Sequence, residues 1–292
     1  MIEEDAENAN EEQVEDTEQD SIDEMVDNAE NTTAAEETVE VSKNQEFVHN
    51  LFSNPLRKKN SSNWTYNMAT KDKYRSILHD ESEKIQWRHG GPPTYDLVNK
   101  LFEEGRTKEW PEGSLEETVQ NAIKSWEMEL SHKIRLQDFK TIVPEKFKLF
   151  VNGREGLTAE ETLSLGSYNA LLKSSLPEDF KPYKASEETF ESSHEVFKSA
   201  FPRGFAWEVI KVYTGPPEIA FKFRHWGFFE GPFKGHPPTG NMVQFFGLGT
   251  LKVNDALKVE EVEIYYDPAE LLGGLLSNGD SSNKISACPF SN

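Results

Sequence analysis

Periodicity along the chain predicts an α+β fold, a strongly curved, mainly antiparallel sheet wrapped around helices, and composition places a disordered acidic N-terminal tail before it. Two observations concern the folded part. Apolar residues recur at helical spacing before Ala200, and from Phe205 onward the period changes from about 3.6 to 2. Helices segregated from a run of strands define the α+β class, and one curved sheet wrapped over helices leaves a cavity between the layers. The third observation is charge. The chain of 292 residues has a net charge of −21; residues 1–40 hold 17 Asp or Glu and no Lys or Arg, which leaves −4 for the other 252. The acidity belongs to an appendage.

Residues 1–45 contain no aromatic side chain and cannot bury enough apolar area to offset the entropy of ordering, so they read as a solubilising tail or as an acidic segment for a basic partner. Residues 46–73 read as a linker with a short docking helix, carrying Phe47, Leu51, Phe52 and Leu56 before the basic Arg57-Lys58-Lys59. Three basic residues are too few for a nucleic-acid patch, and no window approaches the roughly 18 apolar residues of a membrane helix. Neither nucleic-acid binding nor membrane insertion is therefore expected. The acidic start does not resemble a secretory or transit leader. The single Cys288 excludes an internal disulfide framework and a cysteine-based zinc site, which places the chain in a reducing compartment, cytoplasmic or nuclear.

The compact domain is predicted over 74–277, with 278–292 a flexible C-terminal tail. After the turn Gly90-Gly91-Pro92-Pro93, Tyr95, Val98, Leu101 and Phe102 share one helical face ending near Gly105. Ser114 and Glu117 form a capping-box pattern opening a second helix, whose stripe runs Leu115, Val119, Ile123, Trp126, Leu130; His132 lies off that stripe and reads as solvated. Leu136–Val143 and Lys146–Val151 read as strands. Thr158 and Glu161 cap a third helix through Leu172, and a shorter helix covers Thr189–Ala200. Four long strands follow: Phe205–Tyr213 and Glu218–Phe229 joined by the hairpin loop Thr214-Gly215-Pro216-Pro217, then 241–253 and 258–267. Pro268 opens a last helix over Ala269–Leu276.

The stretch Phe221–Asp267 is the one most crowded with chemistry. In 218–229, alternation puts Phe221, Phe223 and His225 on one face and Lys222 and Arg224 on the other, which the charges mark as outer. His225 then points inward, either as a hydrogen-bonded core residue or as a general base. Phe221, Phe223, Phe245, Trp126 and Glu263 are assigned to the ligand pocket, and Glu230, Lys234 and His236, around the bend His236-Pro237-Pro238-Thr239-Gly240, to its rim. The last strand is ambiguous: Val262, Ile264 and Tyr266 form one row, Glu263, Tyr265 and Asp267 the other, and hydrophobicity alone makes the first row core. Glu263 and Asp267 are about 13 Å apart on such a strand, too far to work as a pair. Gly247-Leu248-Gly249 reads as close packing or a bulge. Seven scattered histidines offer no metal-ligand spacing, and no phosphate loop is present; no metal or cofactor is expected.

Gln86-Trp87-Arg88-His89-Gly90-Gly91-Pro92-Pro93, Ser125-Trp126-Glu127-Met128-Glu129-Leu130-Ser131-His132-Lys133 and Phe223-Arg224-His225-Trp226-Gly227 are long, unusual strings. So are Gly235-His236-Pro237-Pro238-Thr239-Gly240 and Tyr265-Tyr266-Asp267-Pro268-Ala269-Glu270. Through them the run from about Tyr74 to Leu276 resembles the plant pathogen-related protein family, of stress and defence association. The Pro-Thr-Gly turn and a last strand ending in Asp resemble the SnoaL-like polyketide-cyclase branch of the nuclear-transport-factor-two-like superfamily. That likeness implies a cone-shaped α+β domain with an internal pocket, a homodimer through the outer sheet face, and an acidic residue at the cavity, which matches Asp267. Three functions are compatible. The preferred one is a binding module for an apolar small molecule such as a plant metabolite. The second is a cofactor-free isomerase or cyclase with His225 or Asp267 as base and Tyr265 as hydrogen-bond donor. The third is a non-catalytic accessory protein to a partner enzyme.

Overall fold

The computed structural model describes residues 72–79 and 84–277. The acidic tail 1–45, nearly all of the linker 46–73, and the C-terminal tail 278–292 lie outside the described residues. Six helices and one six-stranded sheet make up the rest. In chain order these are α1 (Asp96–Gly105), α2 (Leu115–His132), β1 (Lys148–Val151), β2 (Leu157–Thr158), α3 (Ala159–Leu165), α4 (Ser167–Leu172) and α5 (Phe190–Ala200). Then come β3 (Ala206–Val212), β4 (Glu218–Phe228), β5 (Met242–Val253), β6 (Val259–Tyr266) and α6 (Pro268–Leu276). The sheet order is β2-β1-β6-β5-β4-β3; only the β1–β6 pair is parallel. The α+β expectation holds, with the sheet curved and unclosed.

The curvature has a local cause. On the inner face Phe221 pairs with Gly249 and Phe223 with Gly247 across β4 and β5. A β-carbon on Gly247 would stand 2.4 Å from Phe223 Cζ, and one on Gly249 2.6 Å from Phe221 Cζ. The two glycines let both rings lie flat on the neighbouring strand, so the base of the cone is filled by phenylalanine. Val262 and Tyr266 join that inner core from β6, which resolves the ambiguous strand in favour of its apolar row. From α2, Val119, Ile123, Trp126 and Leu130 close the core from the other side.

The outer face is not bare. Helix α1 lies over the β3–β4 end, where Tyr74, Leu101, Phe102, Ala206 and Trp226 make a second apolar cluster. Arg224 does point outward, but it is buried rather than solvated: it donates to the Gly105 carbonyl at 3.0 Å and pairs with the fully buried Glu208 at 3.1 Å. The edge strand β3 is covered too, since Val209 gives its N–H to Gln120 and its carbonyl accepts the Trp110 indole N–H.

Two elements and one cap differ from expectation. The segment 136–143 is not a strand; it forms a 3-10 turn at Leu136–Asp138 and a single bridge from Ile142 to Val259. Its amides go elsewhere: the buried Glu129 carboxylate accepts the N–H groups of Lys140 and Thr141, and Lys133 Nζ donates to Glu129 at 2.7 Å and to the Asp138 carbonyl. The helix expected through Leu172 breaks into α3 and α4 at Gly166, whose φ of +82° ends the first turn set. Thr158 and Glu161 form the full capping box, whereas Glu117 turns back to the Gly113 amide and leaves Ser114 with half of one. Among the described residues no helix is long and apolar enough to cross a membrane.

Candidate functional site

The inward histidine is positioned by the β3–β4 register. His225 pairs with Trp207, and its Nδ1–H donates to the Ala206 carbonyl at 2.9 Å. Its ring is stacked on Phe205 at 4.1 Å, with Phe245 at 5.4 Å on the inner face. Burial holds its pKa down at about 3, because little around the ring solvates an imidazolium. It is therefore neutral at physiological pH. With the proton on Nδ1, its Nε2 presents a lone pair.

Facing that lone pair is Glu127, 3.8 Å away, from the C-terminal half of α2. The Glu127 side chain keeps 37% exposure and that of His225 keeps 15%. Burial pushes the pKa of Glu127 up to about 7, against the opposing pull of Arg75 and Lys124. The sequence reading passed over Glu127, since it sits between Trp126 and Met128 beside the apolar stripe. The signal available was a carboxylate one turn beyond Ile123 on a helix whose neighbours are core.

From Glu127 a polar seam runs along α2. Tyr95 and Tyr168 are both kept protonated by burial, and both feel the Glu127 charge. Arg75 lies over the Tyr95 ring at 3.7 Å. One turn further, Ser131 Oγ is 3.4 Å from His194 Nε2, and Ser167 Oγ is 3.5 Å from the same nitrogen. His132 is not solvated as expected: it packs edge-on against Tyr95 and His89, and burial with its cationic-capable neighbours lowers its pKa to about 4. At the far end Arg88 covers Phe190 at 3.6 Å and Phe190 stacks on His194 at 4.1 Å. Arg88 and Phe190 also wall an outer open groove of about 760 Å³ with Leu136 and Leu163. A smaller hollow of about 210 Å³ lies near Arg154 and Leu157. Neither hollow is lined by a site residue expected from the sequence, or by Glu127 or His225.

Other predicted site residues are dispersed. Phe221, Phe223 and Trp126 are packed core, each no more than 7% exposed, and Phe245 joins them at 4% while still flanking His225. Asp267 is exposed and caps α6 by accepting the Ala269 N–H at 2.8 Å, so the strand's end serves the helix that follows. Tyr265 and Glu263 bond to each other on the outer face. The bend carrying the rim residues is fixed to its surroundings: Glu230 pairs with Arg203 through both carboxylate oxygens, Lys234 with Glu188, and His236 with Phe233 through the backbone. Fully buried Phe233 anchors the bend beside Phe197. The structure thus brings His225 to Glu127 and leaves Asp267, Tyr265 and Glu263 elsewhere. Among the described residues no cluster of His, Cys, Asp and Glu has the geometry to hold a metal.

No family model matches the chain. Among solved structures it is similar to a SnoaL-like protein of the polyketide-cyclase type from Jannaschia sp. CCS1, at 18% identity and TM-score 0.28, over 46% of this chain and 73% of that one. It is also similar to a phenazine biosynthesis-related protein from Pseudomonas aeruginosa, at 14% identity and TM-score 0.29, over 51% and 79%. Among curated sequences the barley (Hordeum vulgare) "Pathogen-related protein" is 51% identical over 221 residues, covering 75% of this chain and 94% of that protein. At that identity and coverage, the chain belongs to the pathogen-related protein family.

Proposed function

We propose that a recess opens between the sheet and α2 and that this protein binds a small, largely apolar molecule there, with Glu127 and His225 at its polar end. The observation that carries the reading is the carboxyl of Glu127, 37% exposed and 3.8 Å from the Nε2 of His225. Apolar lining with a few convergent polar groups of shifted pKa is the usual make-up of a ligand site. Native mass spectrometry of protein from its own tissue tests it. A bound molecule is expected in the wild type and absent in the paired variant Glu127→Leu, His225→Phe; an empty wild type under gentle conditions counts against the reading.

The titration of Glu127 near neutrality favours a second reading, cofactor-free proton transfer. A general base works best with a pKa near the operating pH. Glu127 would take a proton α to a ligand carbonyl, while Tyr95 or Tyr168 donates a hydrogen bond to the enolate oxygen. Glu127, rather than Asp267, is then the base. The readout is solvent-deuterium exchange at the α-carbon of a ketone, expected to vanish in Glu127→Gln and to survive in Asp267→Asn. Exchange unchanged in Glu127→Gln removes this reading.

The outer face of β5 and β6 exposes Met242, Phe246, Leu248 and Tyr265, each between 44% and 52%. We assign this strip to self-association or to a partner enzyme. A dimer in sedimentation that Phe246→Asp converts to monomer supports the former; a monomeric wild type leaves the partner enzyme. The single cysteine suits a cytoplasmic or nuclear setting.

A further inference from the structure

His225 spends its Nδ1 proton on the Ala206 carbonyl, so the nitrogen facing the recess accepts and does not donate. An ionised Glu127 also only accepts. The two stand 3.8 Å apart, beyond hydrogen-bond length. Among the described residues no donor reaches either recess-facing atom: Arg75 is turned to Asn99 and Asp72, and Lys124 is directed over the ring of Phe102. Two acceptors held apart across a gap can both be served by a donor from outside.

Resting on the recess reading above, we infer that the ligand carries an alcohol or phenol hydroxyl that seats between Glu127 and His225, with its apolar body along Phe205. A hydroxyl suits both protonation states of the carboxyl. It donates to the carboxylate when Glu127 is ionised; when Glu127 is protonated it accepts from the acid and gives its own hydrogen to Nε2. An ether or ketone has no hydrogen to give and leaves at least one of the two acceptors without a donor from the ligand, a larger loss at His225 Nε2, whose side chain is only 15% exposed. The wall therefore selects for a hydroxyl over its methyl ether.

The test uses the full chain with histidine-labelled NMR at pH 7.5 and two probes of one shape, 4-methylphenol and 4-methylanisole. His225 Nε2 is assigned by its disappearance in His225→Phe. The phenol is expected to shift that resonance and to bind about tenfold more tightly than the ether, the ratio one hydrogen bond to a charged group supports. In Glu127→Gln, whose amide can itself donate to Nε2, the preference should shrink to near equality with the thermal melt retained. Equal binding of both probes by the wild type overturns the hydroxyl inference and leaves the recess. Binding of neither probe, with no movement of His225, overturns the recess and the inference together.

Discussion

Glu127 Oε1 and His225 Nε2 face each other at 3.8 Å, an acid and a base both displaced from their usual titration by the same enclosure. Their effects on stability have opposite signs. Glu127 moves from 4.5 to about 7, so the folded state holds its proton more tightly than the unfolded state. Its contribution is present below pH 4.5 and is lost as pH rises through about 7. Denaturant unfolding of Glu127→Gln across pH 4 to 8 should lack that decline. A variant whose profile parallels the wild type would place the carboxyl in contact with bulk water.

His225 moves from 6.5 to about 3. Here the unfolded chain binds the proton first, so stability falls as pH drops from 6.5 toward 3, by at most about 1.4 kcal/mol per pH unit for this one group. His225→Phe removes that share of acid sensitivity. His132 titrates in the same direction, with its pKa at about 4, so the remaining slope should be divided with His132→Phe.

Gly247 is a packing position. Any side chain there meets the Phe223 ring at 2.4 Å and the Tyr265 carbonyl at 2.8 Å. Gly247→Ala should cost about 1–3 kcal/mol, the usual range for overpacking, read from urea midpoints at unchanged slope. A null effect would mean that the sheet base is loosely filled.

Buried Glu129 holds together the irregular segment 136–143 by accepting from Lys133, from the Thr141 hydroxyl and from two backbone amides. Glu129→Ala strands the fully buried Lys133 ammonium without its carboxylate and should cost about 3–5 kcal/mol. Hydrogen exchange should show the Lys140 and Thr141 amides losing protection first. Protection retained at both sites would show that the clamp is not what orders the segment.

Asp267 separates a structural role from a functional one. As the cap of α6 it should cost about 0.5–2 kcal/mol when changed to Ala and little when changed to Asn, which caps as well. Ligand binding and any deuterium exchange should be the same in both variants as in the wild type. A loss of either activity in Asp267→Asn, without loss of stability, would return this residue to the site.

The sequence by itself determined the class of fold, the strand set from Phe205 onward, the helix caps at Ser114 and Thr158, and the inward direction of His225. These depend on period-2 and period-3.6 alternation and on cap chemistry, which act within a few residues of chain. It also held the family strings. Tertiary structure alone decided what faces His225. Glu127 is 98 positions away in the chain, and only the packing of α2 against β3 brings the two side chains together. Likewise Arg224 reads as an outer-face residue and only the covering α1 buries it, and Asp267, a cavity acid by resemblance, has its carboxylate taken by α6. Burial of a charged side chain is a property of what packs over it, and the local pattern of residues around it does not record that.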